Sequence, residues 1–213
     1  MWGGWARQLG DRLDDVIRRP VSPDIYTTIG FDPTTGRVAP GGLLATGTMA
    51  GIEETVARVL RRWCPSIAAA RRATAAAWLV PDPAALAVPL GDLPSLFRRL
   101  HTDGRRIAVI TTDDRAPTDA TLRALGVRDW VEAIVCGDDG FGVKPAPDAV
   151  IAVCHAFRTE PPRVAVVGDT PADMAMAREA GVGLLIGVRN GIGSEEDLAT
   201  ADVVVDSVDA LLD

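Results

Sequence analysis

A strand, an acidic turn and a helix run together in Val164-Ala-Val-Val-Gly168-Asp169-Thr170-Pro171-Ala-Asp173-Met174-Ala-Met176-Ala-Arg-Glu-Ala180-Gly181, and this segment constrains the rest of the chain most. Val164 to Val167 has no polar side to offer water, which suits a strand buried on both faces of a parallel sheet. Thr170 is a good N-cap, Pro171 fits the first helical position, and Gly181 supplies the stop just past the helix. Asp169 is therefore expected at the carboxyl end of a strand, with Asp173 near the start of the following helix. Open α/β sheets place their ligands in the crevice beyond those strand ends. Two carboxylates presented there make a hard oxygen site suited to Mg²⁺.

The rest of the chain has two rhythms. In residues 1–88 the apolar positions recur at helical spacing. Trp2, Trp5, Leu9, Leu13, Val16 and Ile17 predict an amphipathic helix over 2–18, its aromatic stripe belonging to a core. Ser22-Pro23 opens a short helix stopped by Gly30, and 31–42, rich in Gly, Pro and Thr, reads as a loop. Ile52, Val56, Val59, Leu60 and Trp63 mark a helix from Thr48 onward, and 66–79 is an Ala-rich third. No strand is expected before Arg105. Residues 1–88 thus read as an all-helical domain, with Pro81 to Pro89 as its exit linker.

From 89 to 213, helix and strand alternate. Asp92 caps a helix ended by Gly104, and Ile107 to Ile110 is a strand. Then come a helix over Pro117 to Leu125, a strand over Ala133 to Val135, and a helix over Pro147 to Phe157. After the opening segment, Gly183 to Ile186 is a further strand and Val203 to Val205 an edge strand. This alternation predicts an α/β core of Rossmann-like type, a doubly wound parallel sheet.

Charge and cysteine usage narrow the function classes. The net charge of -7 leaves no basic stripe to neutralise phosphates, which argues against a nucleic-acid partner. Arg61-Arg62 and Arg98-Arg99 read as solvated helix faces. Cys64, Cys136 and Cys154 are an odd number at spacings of neither a zinc site nor a disulfide framework, so free thiols in a reducing cytoplasm are expected. Met1-Trp-Gly-Gly-Trp-Ala-Arg has neither the basic start nor the apolar run of a secretion signal, and no run reaches membrane-spanning length. The expectation is a cytoplasmic protein without a membrane partner, a monomer or homodimer. His101 and His155 stand in no catalytic pattern, and Asp138-Asp139-Gly140 reads as a turn.

Gly168-Asp169-Thr-Pro-Ala-Asp173, with Ala-x-x-Ala-Gly behind it, resembles the fourth motif of the haloacid dehalogenase superfamily. Ile107-Ala-Val-Ile110-Thr111-Thr112 resembles its second motif, and Lys144-Pro145-Ala-Pro147-Asp148 its third, in the same order along the chain. The resemblance is close over Leu90 to Asp213 and loose before it. It implies a Rossmann-like core with an N-terminal helical cap, and Mg²⁺ held by Asp169 and Asp173. It implies further that Thr111, with Thr112 beside it, binds the transferring phosphoryl group, and that Lys144 stabilises the phosphorylated intermediate. It also implies a small phosphorylated metabolite as the substrate class, hydrolysed through an aspartyl phosphate. Other chemistries of the superfamily, phosphomutase or dehalogenase action, and a pseudoenzyme keeping only a Mg²⁺ or phosphate pocket, are the alternatives.

The first motif of that family, a strand ending Asp-x-Asp-x-Thr, is not in this chain, so no nucleophile is assigned. Phe31-Asp32-Pro33-Thr34-Thr35-Gly36 resembles the phosphorylation site of P-type ATPases, but Asp32 follows a helix stopped by Gly30 rather than a strand. Leu44-Ala-Thr46-Gly47-Thr48 has Leu and Thr where the aspartates belong. The N-terminus resembles the start of a phosphoglycolate-phosphatase-like cap, so the chain is expected to begin just after the first motif. In this fold the missing strand lies between those ending at Thr111 and Gly168. Two half-sheets with unpaired edges, and a marginal fold unless another segment fills the place, are the expected consequence.

Overall fold

The computed structural model describes residues 2–79 and 87–212, in two compact units, one within Met1–Asp82 and one within Pro83–Asp213. Most of the linker expected at Pro81 to Pro89 lies outside the described residues.

The first unit is helical: α1 (Trp2–Ile17), α2 (Ser22–Ile29), α3 (Leu43–Thr46), α4 (Met49–Leu60) and α5 (Ile67–Ala77). Thr48 and Ser66 accept N–H groups of the first turns of α4 and α5. At α2 the cap comes from another helix: the Asp14 carboxylate accepts the Val21 and Ser22 amides at 2.6 and 2.8 Å and the Ser22 hydroxyl at 2.7 Å. Gly30 closes α2 at φ 75°, a left-handed position that costs glycine least. Leu9, Leu13, Ile25, Ile29, Ile52 and Leu60 are fully buried between these helices. Trp5 packs edge-on against Trp2 and Trp78 and donates its indole N–H to the Leu79 carbonyl at 3.0 Å, so the tryptophan stripe is core. The segment 31–42 carries an isolated antiparallel bridge, Phe31 to Val38, and α3 is a four-residue turn the periodicity does not reveal.

The second unit alternates: α6 (Leu93–Thr102), β1 (Ala108–Ile110), α7 (Arg115–Ala124), β2 (Ala133–Val135), α8 (Asp148–Phe157), β3 (Ala165–Gly168), α9 (Pro171–Ala180), β4 (Leu184–Val188) and β5 (Val203–Val205). Asp92 caps α6 by accepting the Ser95 N–H. Helix α7 starts at Arg115 rather than Pro117, because Asp138 reaches across to accept the Arg115 N–H at 2.9 Å. Pro117 still lies in the first turn, where a missing N–H leaves no helical bond unmade.

Every strand pair is parallel, and the strands form two half-sheets, as expected, β1–β2 and β3–β4–β5. In a parallel ladder alternate residues bond to opposite sides. Thr111 N–H meets Val135 and Leu184 N–H meets Val164, so Ala108 and Ile110, and likewise Ala165 and Val167, turn their backbone groups away from their paired strands. Among the described residues no strand pairs with these outer edges. Val167 is 43% exposed, so β3 departs from the expected burial on both faces, one of its flanks lacking a neighbour. The sheets share a helical layer. Ala108, Ile110 and Val135 of one, and Val166 of the other with Val164 just before it, pack on Ala149, Val150, Val153 and Cys154 of α8 and on Met176 and Ala180 of α9.

Two measurements check this picture. In hydrogen exchange followed by NMR, the amides of Ile110 and Val167 should exchange about tenfold or more faster than those of Val109 and Val166, which face paired strands. Leu13→Ala, at a fully buried site, should destabilise the helical unit by about 3 kcal/mol in urea denaturation.

Candidate active site

The site is assembled at the carboxyl ends of β1 and β3. After β3, Thr170 and Asp173 form a reciprocal cap on α9. Thr170 Oγ1 accepts the Asp173 N–H at 3.2 Å, and Asp173 Oδ2 accepts the Thr170 N–H at 3.1 Å and its hydroxyl at 2.7 Å. The Asp169 N–H points to the same oxygen at 3.3 Å. Glycine is required at 168, since a Cβ there would fall within 2.9 Å of Asp173 Cγ.

Lys144, from the segment between β2 and α8, joins the two sheets. Its ammonium donates to Asp173 Oδ1 at 2.7 Å and to the Ile110 carbonyl, on the open edge of β1, at 3.0 Å. The pair is well covered, with side-chain exposures of 16% for Lys144 and 9% for Asp173. Burial pushes the Asp173 carboxyl up, but the Lys144 charge and the hydrogen bonds from Lys144, Thr170 and the Asp169 amide outweigh it and hold the group below the usual carboxylate range.

The two motif aspartates therefore differ. Asp173, expected as a metal ligand, has both oxygens occupied by protein donors. Asp169 is half-buried and receives one hydrogen bond, on Oδ2, from the Ile192 N–H at 2.8 Å. Its Oδ1 has no hydrogen-bond partner among the described residues.

The second motif also divides its labour. Thr111 extends the ladder through its N–H to Val135 at 2.9 Å, and its hydroxyl accepts the Asp113 N–H at 3.1 Å. The Thr112 hydroxyl makes no hydrogen bond among the described residues, which leaves it the less committed donor. Asp113, half-buried, is a further carboxylate beside this turn. Burial raises its pKa, with Asp114 adding to the effect, against a hydrogen bond from Thr111 and the charge of Lys144. Asp138 and Asp139 lie in the turn expected of them; Asp139 pairs with Arg115 and accepts the Cys136 N–H at 2.8 Å. Asp32 sits in a tight turn of the helical unit, its carboxylate accepting the Thr34 N–H and the Thr35 hydroxyl at 2.8 and 2.7 Å. His101 stacks on Trp130, and the three cysteines are buried free thiols.

Among the described residues no three His, Cys, Asp or Glu side chains converge as a metal cage. Mg²⁺ does not need one: it keeps several waters and is commonly held by one or two carboxylates and a substrate phosphate. The uncommitted Oδ1 of Asp169 fits that sparse requirement, and Asp173 does not while Lys144 holds it. No described helix is long and apolar enough to cross a membrane.

Comparison with known proteins accounts for this arrangement. The chain is 32% identical over 114 residues to a phosphoglycolate phosphatase of Cupriavidus necator, an alignment covering 53% of this chain and 49% of that one. It is 33% identical over 117 residues to the phosphoglycolate phosphatase of Rhodospirillum rubrum, covering 55% and 48%. The alignments thus reach about half the length of these relatives. A crystal structure described as a predicted phosphoglycolate phosphatase from Haemophilus somnus superposes with a TM-score of 0.66 at 16% identity, over 97% of this chain and 90% of that one, which shows a common fold. Residues 48–181, more than half of the 213, match the family model of haloacid dehalogenase-like hydrolases. On that match, and with its motif residues gathered at the strand ends, the chain belongs to the haloacid dehalogenase-like hydrolases.

Proposed function

We propose that this chain carries the phosphate- and Mg²⁺-binding part of a phosphomonoester hydrolase acting on a small phosphorylated metabolite. The observation that carries the reading is the position of Lys144, whose ammonium lies between the Ile110 carbonyl and Asp173 and so draws three separate motifs to one place. A fixed cation with its own counter-ion beneath it is suited to offset the charge on phosphoryl oxygens. Thr112, two residues past Ile110, offers a hydroxyl without a hydrogen-bond partner among the described residues, and Thr111 fixes the backbone before it. Asp169 would hold Mg²⁺ through Oδ1, which would supply further positive charge at the phosphoryl group when bound. The reaction class proceeds through an aspartyl phosphate, and no residue of this chain is assigned the attacking carboxylate. The helical unit would supply substrate selection.

The second reading, a protein that binds phosphate and Mg²⁺ without turnover, is favoured by one observation: Asp32, whose segment resembles a phosphorylation site, has its carboxylate held by Thr34 and Thr35 in a turn after a helix. Assay with 2-phosphoglycolate separates the two readings once a segment bearing an attacking carboxylate is supplied to the chain, the first then predicting turnover and the second none.

Isothermal titration with inorganic phosphate should show binding that strengthens when Mg²⁺ is added. Lys144→Ala should weaken it about tenfold or more, and Asp169→Ala should remove the Mg²⁺ dependence. Phosphatase activity that survives Asp169→Ala would overturn the assignment. Lys144→Met leaves the Asp173 carboxylate buried without its cation, and should lower stability by about 3 kcal/mol in urea denaturation at neutral pH.

A further inference from the structure

The segment after β4, Asn190-Gly191-Ile192-Gly193-Ser194, folds back over the end of β3 and meets Asp169 twice. The Ile192 N–H donates to Asp169 Oδ2 at 2.8 Å, and the Gly193 N–H donates to the Asp169 carbonyl at 2.9 Å. Both ends of this loop are anchored elsewhere. Arg189 N–H bonds the Val205 carbonyl at 2.9 Å and its guanidinium pairs with Asp206 and Glu195. Asn190 donates to the Leu90 carbonyl at 2.7 Å, and Ser194 bonds Asp197 through N–H and hydroxyl, both at 2.8 Å. The loop is therefore a fixed wall rather than something Asp169 holds in place.

Glycine at 191 and 193 answers to closeness, since neither residue has a positive φ. A Cβ at Gly191 would fall 2.5 Å from Asp169 Cγ and closer still to its Oδ2 and Cβ. A Cβ at Gly193 would lie 3.3 Å from the Asp169 carbonyl carbon and closer to the oxygen it now meets through its N–H. The contacts involve the Asp169 stem and main chain, which cannot swing aside as a long side chain would.

We propose that Gly191-Ile192-Gly193 is a backbone clamp that fixes the rotamer of Asp169, occupying Oδ2 so that Oδ1 is the oxygen offered to a divalent cation, which makes Gly191 and Gly193 positioning residues. The cation part rests on the reading of Asp169 given above; the clamp on the carboxylate does not. A chelating residue that has already lost its rotational freedom binds with less entropic cost, so the clamp raises cation affinity without touching the cation.

The test uses the full chain with Mn²⁺, whose binding is read from the electron paramagnetic resonance signal of the free ion, together with thermal denaturation. Gly191→Ala should weaken Mn²⁺ binding about tenfold or more and lower the melting temperature by about 5 °C. In an Asp169→Gly background, where the carboxylate and its Cβ are both gone, Gly191→Ala should cost almost no further stability. Gly41→Ala, at a site with open space around the added carbon, should change neither reading. Stability losses at 191 and 169 that simply add would overturn the clamp, as would a Mn²⁺ affinity unchanged by Gly191→Ala. If the parent chain shows no Mn²⁺ affinity while the two stability losses remain coupled, the cation reading of Asp169 falls and the clamp on its carboxylate stands.

Discussion

Burying the Asp173 carboxylate sets the terms for everything around it. A charge that is 7% exposed is costly unless donors surround it, and here they come from the Lys144 ammonium, the Thr170 hydroxyl and two backbone amides. Meeting that demand fixes the first turn of α9 against the end of β3 and requires Gly168 to have no side chain. It also brings Lys144 out of the segment after β2 and onto the free carbonyl of Ile110. One satisfied carboxylate thereby sets the relative places of four segments.

The same saturation separates the roles of two aspartates that look alike in sequence. Asp173 is spent on structure and on orienting a lysine. Among the described residues, Asp169 accepts a single hydrogen bond to its carboxylate and keeps an oxygen without a partner. A hard, strongly hydrated cation asks for little more than one such oxygen, so a sparse site is chemically consistent with Mg²⁺.

The division of the parallel strands into two sheets shows how far helices can stand in for strand continuity. Clusters on α8 and α9 receive apolar residues from both sheets, which holds them in one unit without a ladder between them. What helices cannot do is satisfy the backbone groups on the outer edges of β1 and β3; those of Ile110 are partly met by Lys144, and among the described residues no strand meets the rest. The exposure of Val167 follows from the same unpaired flank.

Local chemistry was legible in the sequence wherever neighbours along the chain decide it. Asp92 and Thr170 cap the helices they precede, Gly30 and Gly181 end theirs, and the apolar runs at 107, 133, 164, 183 and 203 become strands within a residue or two. The motif order placed Thr111, Thr112, Lys144 and Asp169 at the strand ends because each follows a strand or its turn. The cap of α2 by Asp14, the start of α7 set by Asp138, and the hold of Ile192 and Gly193 on Asp169 were not legible, since each depends on residues brought together from different elements. Sequence alone thus determined the elements, their caps and the types of residue at the site, because propensity, periodicity and capping act over a few positions. Only the tertiary structure decided that Asp173 serves Lys144 while Asp169 keeps an oxygen, and Thr112 a hydroxyl, without a partner among the described residues, because burial and hydrogen-bond saturation are properties of the packed chain.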